Sequence, residues 1–216
     1  MPVTIIEPVE RQRLWRYMSL EKLLSLLQRG LHFAQLKTFK DPQEGTAPKV
    51  LIWKGKGDQP MVPMHVHDDP TQLYVCCWHR SADESAAMWS IYSGTGGVAV
   101  TTTLDRLAVA LKDSPQNVEI AEVHYITPPP SGVLAAGSPW TVKRPSFSHE
   151  KEVRAVFRDP ECGRSGIYIP VNVAGLIERI YVSPESESWI EEVVENVVAK
   201  YGLTAPVRRS DLYTLL

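Results

Sequence analysis

Leucines recur at helical spacing near the start of the chain. Four of them between positions 20 and 27 fall on one face of a helix predicted over about 19–29, with Ser19 as N-cap and Gly30 as stop signal. Ser81 followed by Glu84 has the spacing of a capping box and marks another helix start. Further helices are predicted over about 82–92, 104–112 and 186–201.

Short apolar or alternating runs predict strands along the rest of the chain. They lie over about 31–34, 72–78, 97–103, 118–126, 149–157, 167–173, 177–183 and 206–210. Residues 54–70 and 128–147 are predicted to be loops. Because regular alternation of strand and helix is absent, we expect one α+β domain over residues 1–216, with a mixed or mostly antiparallel sheet of about seven strands and about four helices.

Composition narrows the class of protein. The chain has 216 residues, 44% hydrophobic and 22% charged, which is typical of a globular domain. Its net charge of −2 does not favour binding of duplex nucleic acid through a basic surface. No apolar run has the length of a membrane span, and no signal peptide is expected. Three cysteines, two of them adjacent in an apolar run, indicate a reducing cytoplasmic location.

A charged stripe is predicted on the strand over 149–157. Side chains alternate along a strand, so Glu150, Glu152 and Arg154 would share one face. Two neighbouring carboxylates repel each other and need a cation, a proton or a function to hold them. Arg154 is the local cation, and the alternative is a solvated edge with an ordinary ion pair.

Aromatic residues accompany basic or glycine-rich sequence at two places. Arg16 and Tyr17 precede the first predicted helix, a combination that suits a phosphate-bearing or ring-bearing ligand. Trp89 and Tyr92 lie one turn apart before a run of glycines and could form an aromatic wall. The structural alternative is core packing for Tyr17 and Trp89 and a surface or ion-pair role for Arg16.

Two polar segments contain residue types that bind metals. The histidines of the loop at 65–67 lack further ligands at convincing spacing, so no metal is expected there. Asp41 and Glu44 occupy a turn, and structural use is favoured. If the fold brought them to Glu150 and Glu152, the acids could instead hold a divalent cation in a nucleic-acid-acting enzyme.

The motifs together carry a resemblance to a known family. In chain order they are LWRYMSLEKLLSLLQRGLHFA, FKDPQEG, YVCCWHRSADESAAMWSIYSGTGGVAV, HEKEVRAV, IERIYVSP and VRRSDL. This order, over about 13–213, resembles the bacterial family called domain of unknown function 2971, and Lys40 stands where that family has asparagine. The family name attaches no activity.

The motif order is also similar to that of divergent ADP-ribosyltransferases. That resemblance implies an ADP-ribosyltransferase-like fold, NAD as co-substrate, and an acceptor macromolecule or antitoxin as partner in toxin–antitoxin or phage-defence settings. Residues Cys76, Cys77 and Trp78 depart from it, because a Ser-Thr-Ser motif would be expected there. The alternatives are a non-catalytic module that binds a nucleotide or a protein, and the metal-dependent enzyme above.

The resemblance implies a role for each candidate residue. Glu152 corresponds to the catalytic glutamate that stabilises the ribosyl cation, and Glu150 to its partner, which would orient or deprotonate the acceptor. The candidates for binding the cofactor are a basic residue for the pyrophosphate, aromatic residues around the nicotinamide, and the arginine of the charged stripe. They are Arg16, Tyr17, Trp89, Tyr92 and Arg154. Arg16, Tyr92 and the two glutamates are expected to line one cleft.

Overall fold

The structure is a computed structural model that describes residues 3–6, 13–41, 44, 51–52, 64–65, 69–127 and 139–214. The strands are β1 Thr4–Ile5, β2 Leu14–Met18, β3 Leu31–Gln35, β4 Leu51–Ile52, β5 Met64–His65, β6 Leu73–Arg80, β7 Val98–Thr102, β8 Glu119–Glu122, β9 His124–Tyr125, β10 Val142–Lys143, β11 Glu152–Arg158, β12 Gly166–Ile169, β13 Arg179–Val182 and β14 Val207–Arg209. The helices are α1 Leu20–Arg29, α2 Ala86–Met88, α3 Leu104–Leu111, α4 Val173–Leu176 and α5 Trp189–Lys200.

One mixed sheet organises the domain. Its main path runs β1-β8-β11-β6-β2-β7-β13-β14, and β3 and β12 join it beside β6. Among the described strand pairs of this sheet, β1–β8 and β13–β14 alone are parallel. The expected mixed sheet is confirmed, but its size is wrong, because ten described strands share it instead of about seven. The additional strands are β1 and β2, for which no strand is predicted; β1 has only two residues and so shows no repeat.

Strand β6 pairs with three strands of the sheet, two of which share one of its edges. One side of β6 pairs with β11 over its whole length. Its other side pairs with β3 near Val75 and with β2 near His79. The strands β2 and β3 therefore share one edge of β6, β3 near its start and β2 at its end.

The two faces of the sheet carry different side chains. The main core packs on one face, where Cys76 and Trp78 of β6 lie with Val153 of β11 and the apolar sides of α1, α3 and α5. The alternate residues of these strands point to the other face, where smaller apolar groups form around Trp140 and Trp89. The charged residues of β11 lie on this second face.

Most of the regular elements lie close to their predicted bounds. Helix α1 ends at Gly30, whose φ of 91° is one that glycine adopts without strain. The predicted capping box is wrong: Ser85 caps α2 instead, and residues Trp89–Ser93 form a π-helical turn. The strand predicted over 149–157 begins only at Glu152, because residues Pro145–Glu150 form a 3₁₀ helix.

The two predicted loops contain short strands. Residues 64–65 pair with 51–52, and 142–143 pair with 124–125, which also divides the strand predicted over 118–126. The rest of 54–70 up to residue 68, and 128–138, lie outside the described residues. The predicted turn at 40–45 is described only at residues 40, 41 and 44.

Candidate active site

Five charged side chains meet beneath the second face of the sheet. They are Glu44, Lys143, Glu150, Glu152 and Arg154, and all five are buried. Lys143 lies at the centre, with its Nζ atom 2.5 Å from Glu150, 3.0 Å from Glu152 and 3.2 Å from Glu44. With all groups ionised, three carboxylates face two cations. We call this group the charged cluster.

Arg154 anchors the inner side of the charged cluster. Its Nε and Nη2 atoms each donate to Glu152 at 2.9 Å, in a two-pronged pairing. Nη1 donates to the carbonyl oxygen of Trp140 at 2.7 Å, and Nη2 also donates to Glu44. Because Arg154 is fully buried and all these acceptors are protein oxygens, it acts on any ligand only through the carboxylates.

Glu150 lies at the outer side of the cluster. Its side chain is 10% exposed, against 5% for Glu152. The hydroxyl of Tyr92 donates to it at 2.8 Å, and Tyr92 itself is 41% exposed. The Tyr92 ring therefore lies between the buried carboxylate and solvent. The π-helical turn that carries Tyr92 is a rare conformation found often at functional sites.

A strained backbone brings the two acids together. Glu150 ends the 3₁₀ helix and Glu152 begins β11, so they do not share a strand as predicted. Between them Lys151 has a φ of 40°, in the left-handed region that a non-glycine residue enters at a cost. This turn lets both carboxylates reach Lys143.

Electrostatics keeps the inner groups charged. Burial acts to raise the pKa of Glu152, but the attraction and hydrogen bonds of Arg154 and the charge of Lys143 outweigh it and lower the pKa to about 2. Burial alone would lower the pKa of Lys143, but the surrounding carboxylates, Glu152 foremost, raise it. Burial raises the pKa of Glu44 against the attraction of both cations. Glu44 is therefore more easily protonated than Glu152.

His79 holds the backbone beside the cluster. Its Nδ1 atom lies 2.6 Å from the carbonyl oxygen of Glu150. A carbonyl oxygen only accepts hydrogen bonds, so Nδ1 carries the proton. Burial lowers the pKa of His79, which favours the neutral ring with Nε2 as its unprotonated nitrogen.

Aromatic rings pack beside His79. The ring of Tyr17 lies 6.0 Å from His79 and 5.0 Å from Trp89, edge to face. Both aromatic residues are buried. The hydroxyl of Tyr17 accepts the backbone N–H of Ser85, and the indole N–H of Trp89 donates to Glu84 at 2.9 Å. Tyr92 is the one member of the expected aromatic wall that is exposed.

The structure separates Arg16 from this group. Its neighbours Trp15 and Tyr17 lie on the face of the charged cluster, so Arg16 points to the opposite face. There it donates to the carbonyl oxygen of His32 at 3.1 Å and lies over the Trp78 ring. The expectation that Arg16, Tyr92 and Glu152 line one cleft is wrong for Arg16, because strand alternation places its side chain across the sheet.

A half-open cavity of about 290 Å³ lies beside Glu152, at the edge where β6 and β8 end and β11 begins. Its walls include Arg80, Glu122, Tyr125, Ser148 and Lys151. The hydroxyl of Tyr125 accepts the backbone N–H of Glu152 at 2.8 Å and links the cavity to the charged cluster.

The described residues show neither a metal centre nor a membrane span. No group of three or more His, Cys, Asp or Glu side chains among them is arranged to hold a metal ion. The carboxylates of the cluster are paired with Lys143 and Arg154, and Asp41 with Arg144 at 3.0 Å. No helix in this part of the chain is both long and apolar enough to cross a bilayer. His67 lies outside the described residues.

Two members of the cluster were missed or misjudged from sequence. Lys143 lies in the segment predicted to be a loop, although the alternation of Thr141, Val142 and Lys143 two residues before Pro145 is typical of a short strand. Glu44 is expected to serve a turn, with a meeting with Glu150 and Glu152 as the alternative. Its carboxylate does join these two around Lys143 and pairs with Arg154, 110 positions away in the chain. No local pattern marks such a contact.

Comparison with protein-family models, with curated proteins and with solved structures finds no match for this chain.

Proposed function

We propose that the protein cleaves the bond between nicotinamide and ribose in NAD and transfers the ADP-ribosyl group to an acceptor. One observation carries the proposal: the charged cluster has one more carboxylate than cations, and its outermost carboxylate, Glu150, reaches the half-exposed Tyr92. Breaking an N-glycosidic bond develops positive charge on the ribose, and a preorganised excess of negative charge stabilises it.

The two glutamates would have separate tasks. Glu152 supplies fixed negative charge, because Arg154 and Lys143 keep it ionised with a pKa of about 2. Glu150, nearer to solvent, would contact the ribose and the acceptor once the ligand displaces the Tyr92 hydroxyl. Tyr92 is placed to pack against the nicotinamide ring.

The reaction balances within these groups. The bond between C1′ and the nicotinamide nitrogen breaks, and its electron pair leaves with the nicotinamide. A lone pair of the acceptor forms the new bond to C1′, and the proton of the acceptor passes to the carboxylate of Glu150 and then to solvent. Water is the simplest acceptor, and it would give free ADP-ribose.

The motif order supports an ADP-ribosyltransferase-like fold for this domain. Arg16 lies on the opposite face of the sheet, so residues other than Arg16 would bind the phosphates of NAD. A macromolecular acceptor in a toxin–antitoxin or phage-defence setting is part of the same proposal. A cytoplasmic location fits it, since NAD is an intracellular dinucleotide.

Nicotinamide release from NAD tests the proposal directly. The wild-type chain should release nicotinamide and show binding heat in calorimetry at millimolar NAD. Glu150→Gln should bind NAD but lose at least about a hundredfold in release rate, because it removes the acceptor of the proton. Glu195→Gln, on the exposed side of α5, is the matched control and should keep the wild-type rate.

The proposal is wrong if the folded wild-type chain gives no heat, no thermal shift and no nicotinamide at that concentration. It is also wrong if Glu150→Gln, shown to be folded by circular dichroism, releases nicotinamide at the wild-type rate.

A further inference from the structure

The π-helical turn that carries Tyr92 is exposed in its middle and fixed at its two ends. Residues 90–92 are exposed, whereas Trp89 and Ser93 are buried. The hydroxyl of Ser93 donates to the carbonyl oxygen of Trp89 at 2.5 Å. Gly97 packs so closely that a Cβ atom there would lie 2.3 Å from the carbonyl oxygen of Ser93. The place of the Tyr92 ring therefore depends on how Trp89 and Ser93 are held.

Glu84 joins Trp89 to a distant part of the chain. Its Oε2 atom accepts the indole N–H of Trp89 at 2.9 Å and the hydroxyl of Ser210 at 2.5 Å. Glu84 and Ser210 are 126 positions apart, and Ser210 is buried. A single carboxylate oxygen thus connects the turn of Tyr92 with the segment that follows β14.

That segment, residues 210–212, runs from the edge of the sheet to the second face. The backbone N–H of Ser210 donates to the carbonyl oxygen of Val182 in β13 at 2.9 Å. The hydroxyl of Ser210 accepts the backbone N–H of Leu212 at 3.3 Å, and Leu212 packs against the apolar group around Trp89. We call this segment the C-terminal strap, because it is anchored both to β13 and to the Trp89 group.

The direction of each hydrogen bond at Ser210 is determined by its partner. A backbone N–H can only donate, so the hydroxyl oxygen accepts from Leu212 and its one proton goes to Glu84. Hydrogen bonds to a carboxylate are stronger than those between neutral groups. Loss of the Ser210 hydroxyl would therefore release Glu84 on one side and weaken its hold on Trp89.

Trp89 in turn affects the contact of Tyr92 with the charged cluster. Tyr92 follows Trp89 by three residues in the same turn, and its hydroxyl donates to Glu150 at 2.8 Å. A shift of Trp89 would move the Tyr92 ring relative to Glu150. The contacts thus lead from the C-terminal strap through Glu84 and Trp89 to the outermost carboxylate of the cluster.

We infer that Glu84 and Ser210 are positioning residues for Tyr92, which together set the place of the ring that covers Glu150. The inference rests on the proposed function, in which Tyr92 packs against the nicotinamide. Both residues act through Trp89, and the proton transfer belongs to Glu150. Their loss should therefore weaken the binding of NAD and leave the chemical step nearly unchanged.

Hydrogen exchange followed by mass spectrometry measures the turn without any turnover. In Ser210→Ala, the backbone N–H groups of Trp89–Ser93 should exchange about tenfold faster, because the turn opens more easily without this hydrogen bond. Ser186→Ala is the matched control. Its hydroxyl is buried and has no hydrogen-bond partner in the described part of the chain, so the turn should exchange at the wild-type rate.

A double variant tests whether the two residues act through one contact. Glu84→Ala removes the acceptor of both Trp89 and Ser210 and should also speed exchange of the turn. Adding Ser210→Ala to it should change the exchange rate by less than about twofold, because the hydroxyl no longer has its partner. Additive effects would show that Ser210 does not act through Glu84 and would overturn the inference.

Kinetics with NAD separates positioning from a general loss of folded protein. Ser210→Ala should raise the KM for NAD about fivefold and keep kcat within about twofold of the wild-type value. A smaller folded fraction alone would lower the apparent kcat and leave KM unchanged. That result would contradict the positioning role.

The outcomes distinguish this inference from the proposed function. If Ser210→Ala loosens the turn but the wild-type chain does not cleave NAD, the control of the Tyr92 turn stands and the proposed function fails. If NAD is cleaved and Ser210→Ala keeps the wild-type exchange rate or the wild-type KM, the positioning role is wrong and the proposed function stands. The positioning role is also wrong if Ser186→Ala loosens the turn as much as Ser210→Ala.

Discussion

Replacing Glu152 with glutamine tests whether the charged cluster holds the fold together. The change keeps the shape of the side chain but leaves Arg154 without its two-pronged partner and Lys143 without one carboxylate. One pKa unit corresponds to about 1.4 kcal/mol. Lowering the pKa of Glu152 from 4.5 to about 2 is therefore worth about 3 kcal/mol to the folded state.

The expected loss at pH 7 is about 3–5 kcal/mol, because removal of one partner leaves buried charge uncompensated. Denaturation by urea at pH 7, followed by the fluorescence of the six tryptophans, measures it. The exposed variant Glu195→Gln is the control and should change the free energy of unfolding by less than about 0.5 kcal/mol.

The pH dependence gives an independent check on the same residue. A carboxylate whose pKa is lowered by folding stabilises the folded state above its unfolded pKa of 4.5, and this stability is lost as the pH falls toward 2. Glu44 acts in the opposite direction, because its pKa is raised. Between pH 4.5 and pH 2, the free energy of unfolding should therefore fall less steeply with pH in Glu152→Gln than in the wild-type chain.

An unfolding free energy within about 1 kcal/mol of wild type at pH 7 would refute this account of Glu152. So would an acid dependence identical to that of the wild-type protein.

Three further predictions concern single contacts. Gly30→Ala should cost about 1–3 kcal/mol more than Gly202→Ala in urea denaturation: both glycines have positive φ, but only the first would place Cβ 2.2 Å from the carbonyl oxygen of Ile169. Nitrogen-15 NMR should show His79 protonated at Nδ1 at neutral pH, and the Nε2 tautomer would contradict its bond to Glu150. Tyr92→Phe should cost no more than about 1.5 kcal/mol of unfolding free energy, because the ring is 41% exposed; a larger loss would show that the contact is structural.

The local pattern of the sequence determined the regular elements. Leucine spacing predicted α1, and alternation or apolar runs predicted β6, β7 and β13 close to their observed bounds. These signals are local, since a helix or strand repeats its buried side every few residues. The helix expected over 82–92 begins only at Ala86, where Ser85 caps it, and continues as the π-helical turn Trp89–Ser93. Glu84 lies before it and bonds the Trp89 indole and the Ser210 hydroxyl.

The two glutamates, Glu150 and Glu152, show which part of the site could be predicted from the sequence. Two glutamates near an arginine predicted that a cation must hold them, and Arg154 does pair with Glu152. The sequence did not indicate Lys143, and it offered the meeting of Glu44 with the two acids only as an alternative. Such contacts depend on how distant segments pack on one face of a large sheet. Their spacing in the chain carries no information about that distance.

Tertiary structure alone decided which groups share a face. Strand alternation and the pairing of β2 with β6 send Arg16 across the sheet, although it is adjacent in sequence to Tyr17. The left-handed turn at Lys151 has the opposite effect, because it brings Glu150 to the same cation, Lys143, that Glu152 contacts. The chain's local pattern determined its helices and strands, and the packing of those elements determined its chemistry, because charges interact through space and not along the sequence.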